Sequence, residues 1–207
     1  MALGTDWVLQ WTALAAQAAH EHRVELIELD RAIGDGDHGE NLDRGFTEVE
    51  KQLESATASD PAQVFRTIAT TLISKVGGAS GPLLGTAYLR MSSSAKEQLE
   101  PGDLAAMIEA ASQGIQMRGK ATEGEKTMVD AWAPAARAAA AAAASGADCI
   151  GVLEAASKAA TDGAENTRPM VATKGRASYL GERSAGHLDP GAVSSSYILE
   201  AAVRAAR

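Results

Sequence analysis

Residues 127–144 read TMVDAWAPAARAAAAAAA, and the run from Ala135 to Ala144 has the composition with the highest helix propensity available. Alanine loses no side-chain entropy in a helix, and its small side chain lets a neighbouring helix come close. The stretch therefore predicts a tightly packed helix opening near Thr127. Outward from it the same period continues. Upstream, Leu104, Met107, Ile108, Ala111 and Ile115 recur at helical spacing, as do Leu83, Leu84, Ala87 and Met91 before them. Asp60-Pro61 is an N-cap followed by proline in the first turn, ahead of Val64, Phe65, Ile68 and Leu72. Leu42, Phe46, Val49 and Leu53 mark another helix. The first opens at a Thr5-Asp6 cap, carries Trp7, Trp11, Leu14 and Ala18 inward, and extends to about Leu29. Downstream follow Val152, Leu153, Ala156 and Ala159, then Val193, Tyr197, Ile198 and Ala201. Eight helices without a strand predict an all-α domain spanning 1–207. Hydrophobic residues at 45% with aromatics at only 4% agree, because sheets collect β-branched and aromatic residues.

The chain carries a formal charge of -8, which argues against general nucleic-acid binding or an anionic membrane surface as partner. Any phosphate it holds needs a metal. Cys149 is the lone cysteine, so no internal disulfide forms; with neither a signal sequence nor an apolar span, the expected location is the cytoplasm.

The connections hold much of the glycine and charge. Segments 30–40, 77–82, 119–126 and 172–191 follow the first, third, fifth and seventh predicted helices. In an up-and-down bundle alternate connections share one end, so these four are expected to gather there.

Residues 29–41, LDRAIGDGDHGEN, place Asp30 at a helix end and alternate Asp35 and Asp37 with glycines, so that three carboxylates converge on a hard cation such as magnesium. A calcium loop starting at Asp35 would need an oxygen ligand at position 39 and a glutamate at 46. Gly39 and Phe46 exclude it. Residues 76–83, VGGASGPL, form a glycine-rich turn into a helix start, where free amides attract phosphate. RGKATEGEKTM at 118–128 nearly spells a P-loop, but Glu125 intrudes before Lys126-Thr127 and the preceding segment reads as helix; the segment stays a nucleotide contact without that fold. The loop TKGRASYLGERSAGHLDPG, 173–191, is a cationic lid in an acidic chain, with Arg176 or Arg183 placed to fork onto phosphate. His38 lies beside the metal candidates. No Ser-His-Asp or Cys-His arrangement is apparent.

In order, LDRAIGDGDHGENLDRGF, VGGASGPLLGT, RGKATEGEKTMVDAW and KGRASYLGERSAGHLDPGA resemble the nucleotide-binding L subunits of dihydroxyacetone kinases along essentially the whole chain. That resemblance implies a closed barrel of eight antiparallel helices, with ADP or ATP held at one end through two magnesium ions on Asp30, Asp35 and Asp37. It further implies that His38, Gly39, Glu40 and Asn41 line the nucleotide together with Ala79 and Ser80. Gly119 and Met128 join them from the third segment, and Arg176, Asp189, Pro190 and Gly191 from the fourth. Arg176 would also serve transfer itself. The resemblance places the substrate on a separate K-type subunit, bound to a histidine there. It leaves open whether a phosphohistidine protein rephosphorylates ADP in place or ATP exchanges. L subunits for erythrulose-like sugars, and a non-catalytic nucleotide-sensing subunit, stand as alternative readings.

Overall fold

The structure is a computed structural model describing residues 2–55 and 60–207. Its helices are α1 (Thr5–Glu21), α2 (Arg23–Ile33), α3 (His38–Ser55), α4 (Pro61–Lys75), α5 (Ser80–Ser94), α6 (Pro101–Gly119), α7 (Val129–Ala144), α8 (Cys149–Asn166) and α9 (Pro190–Ala205), with a 3-10 helix at Arg176–Ser184. Among the described residues the only β-type pairing is a single bridge between Leu3 and Leu99. The all-α expectation holds, and no described helix is long and apolar enough to cross a membrane.

The helix starts follow local chemistry. Asp60 accepts from the Gln63 amide at 2.9 Å ahead of Pro61, Asp148 from Gly151 at 2.8 Å, and Asp189 from Ala192 at 2.7 Å. Glu100 and Asp103 close a capping box on α6. At the N-terminus the structure departs from expectation. Gly4 is the N-cap of α1, with Thr5 and Asp6 already inside the first turn. The predicted first helix is also broken: His22 sits at φ -94°, ψ 8°, and α2 starts afresh behind it. The cause is tertiary. The His22 ring stacks 4.0 Å from Tyr197 of α9, and both His22 Nδ1 (2.8 Å) and the Tyr197 hydroxyl (3.0 Å) bond Glu25 Oε2.

From α3 to α9 each helix packs on the next, and α9 packs on α1, so the packing order closes on itself. Two indoles seal the seam. Trp7 donates to Ala202 O at 3.0 Å and Trp11 to Ile198 O at 2.7 Å, both buried. Trp11 also stacks on Trp7 at 5.1 Å and meets Phe65 and Tyr88 at centroid distances of 5.8 and 6.0 Å, in a core built mostly from Leu, Ile, Val, Met and Ala.

The alanine-rich α7 shows how closely these helices approach. Pro134 has no amide to offer Asp130 O, and Gly163 of α8 packs against that carbonyl. A Cβ on Gly163 would lie 2.1 Å from Asp130 O and 3.0 Å from Pro134 Cγ. Gly163→Ala should therefore cost about 2 kcal/mol of stability. Gly102→Ala, in the exposed first turn of α6 with nothing within 4 Å, should instead gain roughly 0.5 kcal/mol. Thermal denaturation of the two variants beside the parent checks this; equal midpoints for both would contradict the packing described for α7 and α8.

Candidate functional site

The connections after α2, α4, α6 and α8 meet at one end and enclose two adjoining chambers. The first, about 170 Å³, is lined by Asp30, Asp35, Asp37 and His38, by Gly78 to Ser80, by Lys126 to Met128, and by Lys174 to Ala177 with Asp189 and Pro190. The second, about 370 Å³, is more apolar, with Pro82, Leu83, Ile115, Gly119, Ala121 and Val129 in its wall. Ala79, Leu83, Thr127, Met128, Lys174 and Gly175 border both, so a ligand with a charged end and a flat apolar end can span them.

One ligand atom from each of Asp30, Asp35 and Asp37 lies within 4.8 Å of the others. Asp30 is fixed in the last turn of α2, where its Oδ2 accepts the amides of Asp37 (2.9 Å) and His38 (3.1 Å). Its Oδ1 stays clear because position 34 is glycine; a Cβ there would sit 2.1 Å from that oxygen. Gly36, at φ 75°, turns the chain between the exposed Asp35 and Asp37. Across the chamber the Arg176 guanidinium pairs with Asp35 Oδ2 at 3.0 Å. An all-carboxylate set with a single guanidinium against it suits a hard divalent cation and fits magnesium.

His38 is buried at the first turn of α3, with Nδ1 3.0 Å from Ser80 Oγ and Nε2 2.9 Å from Ser194 Oγ. Ser194 also donates to Gly191 O at 3.1 Å. The chain of bonds is complete when Ser80 donates to Nδ1 and Nε2–H donates to Ser194. Burial holds the ring neutral by pushing its pKa down, against the opposing pull of Asp30 and Asp37. His38 thus joins α3, α5 and α9 beneath the carboxylates.

Not every residue implied by the resemblance lines a chamber. Glu40 is exposed and pairs with Arg23 at 2.7 Å. Gly39 packs α3 onto α2, where a Cβ would lie 2.1 Å from Arg23 O. Asn41 stands behind the Gly77 turn and accepts from Arg44 Nη2 at 2.6 Å. Gly191 lies under Met128, whose Cγ a Cβ would meet at 2.8 Å. Ala79, Ser80, Gly119, Met128, Asp189 and Pro190 do face the cavity.

The roles of two residues escaped the sequence reading. Asp130 accepts the amides of Gly124 (2.5 Å) and Thr127 (2.7 Å) and so shapes the 120–128 loop, a role that the Thr127-x-x-Asp130 spacing signals. Burial pushes its pKa up. Lys126 is buried with its ammonium among backbone carbonyls, and burial pushes its pKa down; the near-P-loop spacing marks the residue as a phosphate contact, and nothing local signals this carbonyl-bonded role.

With this geometry established, residues 32–204 match the family model described as the DAK2 domain. The chain belongs to the DAK2 domain family. This DAK2 domain is 44% identical over 202 residues to the Listeria innocua protein named PEP-dependent dihydroxyacetone kinase 1, ADP-binding subunit, covering 97% of this chain and 96% of the relative. It is 38% identical over 209 residues to the ADP-binding subunit of the Escherichia coli PEP-dependent dihydroxyacetone kinase, covering all of both chains. Among solved structures it resembles the dihydroxyacetone kinase of C. freundii in complex with AMP-PNP and Mg2+, with TM-score 0.71 and 25% identity. That match covers 99% of this chain and 34% of the longer kinase, so the domain spans about a third of that protein.

Asp189, which caps α9 at the cavity wall, has its pKa pushed up to about 7, by burial first, with Asp130 and Asp30 adding and the Ala192 amide and Lys126 opposing. Between the ordinary carboxylate range and about pH 7 the unfolded chain loses this proton while the folded domain keeps it, so stability falls as pH rises through that window. Asp189→Asn, which can still cap, removes the dependence. In urea denaturation of the metal-free, nucleotide-free domain, the variant should gain on the parent by about 1 to 2 kcal/mol between pH 4 and pH 7, and no further above it. A constant difference across that range would show that the Asp189 carboxyl is not held protonated.

Proposed function

We propose that this chain is the nucleotide-holding half of a two-protein kinase: it binds Mg-ADP or Mg-ATP in the paired chambers and passes a phosphoryl group to dihydroxyacetone carried by a K-type subunit. The observation carrying this reading is the convergence of Asp30, Asp35 and Asp37 within 4.8 Å, opposite Arg176 and beside an apolar chamber. The relatives named as ADP-binding subunits of PEP-dependent dihydroxyacetone kinases support it, as does the similar kinase solved with AMP-PNP and Mg2+. The same names support rephosphorylation of ADP in place by a phosphohistidine protein. The lone Cys149 thiol, buried and set against Leu99 O at 3.6 Å, suits a reducing cytoplasm.

In this reading the three aspartates hold magnesium, two ions in all, and bound magnesium supplies charge neutralisation for the phosphates. The chain's own residues do the positioning. Ala79 and Ser80 open α5 at the cavity, where the first amides of the helix have no partner within it and favour an anion. Gly119 and Met128 border the apolar chamber and bound the base. His38, neutral and bonded on both ring nitrogens, keeps Ser80 in place. Asp189 and Pro190 close the wall, Gly39, Asn41 and Gly191 act through the packing that sets these groups, and Glu40 ties the start of α3 to Arg23 of α2. Arg176, now paired with Asp35, is the guanidinium for which phosphate competes, and its fork matches the charge that develops in transfer.

The described cavity offers no separate pocket with a base for a small sugar, so the acceptor has to arrive on another protein, docked over residues 30–41 and the lid. Purified chain with Mg-ATP and free dihydroxyacetone should form essentially no dihydroxyacetone phosphate, and adding a K-type subunit should start production. Arg176→Ala should lower single-turnover transfer about 100-fold while weakening Mg-ADP binding much less. Robust turnover by the isolated chain would overturn the two-protein reading, and equal losses of binding and transfer would remove Arg176 from the transfer step.

A further inference from the structure

Lys126 closes the segment that nearly spells a P-loop, and a lysine there invites the reading that it contacts phosphate. Its surroundings say otherwise. The residue is only 1% exposed, and its Nζ donates to Thr167 O at 2.7 Å, Met170 O at 3.2 Å and His187 O at 2.5 Å. An ammonium has three N–H donors, and all three are used on backbone carbonyls. None is left for a phosphate oxygen.

The three carbonyls are not scattered. Thr167 and Met170 lie where the chain leaves α8, and His187 lies just before α9, so they are the two stems of the connection that carries the 3-10 helix and Arg176. Lys126 belongs to the 120–128 loop, which Asp130 holds through the amides of Gly124 and Thr127. Its backbone is left-handed at φ 61°, a conformation that costs a non-glycine residue energy and persists where the surroundings enforce it. Further bonds join the stems to each other, from Gly186 N to Arg168 O at 2.7 Å and from Asp189 N to Thr167 Oγ1 at 2.9 Å. The lid's own attachment to α2 is slight: Ala172, Ala177 and Leu180 against Ile33. Few apolar contacts leave such a segment free to open locally unless its stems are tied.

We infer that Lys126 is a positioning residue: its ammonium clamps both stems of the 167–189 lid to the 120–128 loop, and so sets Arg176 over the three aspartates. The inference deepens the proposed kinase reading and rests on it for the role of Arg176. The clamp itself is a property of the nucleotide-free chain.

The test uses the full chain and the variant Lys126→Met, with Lys120→Met, an exposed lysine of the same loop, as control. Without nucleotide, trypsin should cut the Lys126→Met lid at Arg176 and Arg183 about tenfold faster than the parent or the control, since untied stems open more often. With Mg-ATP and a loaded K-type subunit, single-turnover transfer by Lys126→Met should fall about 100-fold while Mg-ADP affinity stays within about threefold, because misplacing Arg176 harms reaction more than binding. Lid cleavage at the parent rate, or equal loss of binding and transfer, would overturn the assignment. Should Lys126→Met fail to fold, hydrogen exchange in the parent decides: the amides of Gly124 and Thr127 should open together with those of Gly186 and Asp189, and independent opening would overturn the clamp. Mg-ADP binding by the parent separately tests the reading beneath it. A parent that binds no Mg-ADP but has a clamped lid would refute the kinase function and leave the clamp standing.

Discussion

Three carboxylates held within 4.8 Å of one another repel, by about 1 kcal/mol per pair in water and more where solvent is excluded. Left to themselves Asp35 and Asp37, both exposed, would turn apart, so the fold has to hold the group together. Asp30 anchors it. One of its oxygens is spent on the amides of Asp37 and His38, which pins the turn to the end of α2, and the absent side chain at Gly34 leaves its other oxygen open. The charge so gathered has one guanidinium against it, from Arg176. A site built this way is short of positive charge, and a divalent cation with its phosphates supplies what is missing.

The remaining architecture delivers the other walls to that point. Closure of α9 on α1 through the Trp7 and Trp11 indoles completes the ring, and alternation of helix direction brings the Gly78–Ser80, Lys126–Met128 and Lys174–Ala177 segments to the same end. Small residues make the approach possible. Gly39 lets α3 rest on the backbone of α2, and Gly163 lets α8 reach the Asp130 carbonyl beside Pro134 in α7. Packing this close ties the loops to a rigid frame, which the lid, with its small apolar anchor on Ile33, lacks on its own.

Much of this was legible in the sequence because the signals are local. Helical period, the cap at Asp60, and three aspartates within eight positions need no knowledge of distant residues. What could not be read depends on contacts far along the chain. The break at His22 interrupts residues that are all compatible with helix, and it is set by Tyr197. The ammonium of Lys126 finds its acceptors 41, 44 and 61 positions away. Gly39 and Glu40 sit inside the metal motif, yet one packs helix on helix and the other pairs on the surface, because a helix starting at His38 points successive residues in different directions. The aspartate motif was legible as a motif; which of its neighbours face the cavity was decided by the helix phase.

The central claim is that nucleotide is held through metal on Asp30, Asp35 and Asp37. Calorimetric titration of ADP into the purified chain, once with saturating magnesium and once with the metal chelated away, tests it most directly. The account predicts binding only with magnesium, since the carboxylates facing the phosphates repel them otherwise. ADP binding of equal affinity in both titrations would contradict it.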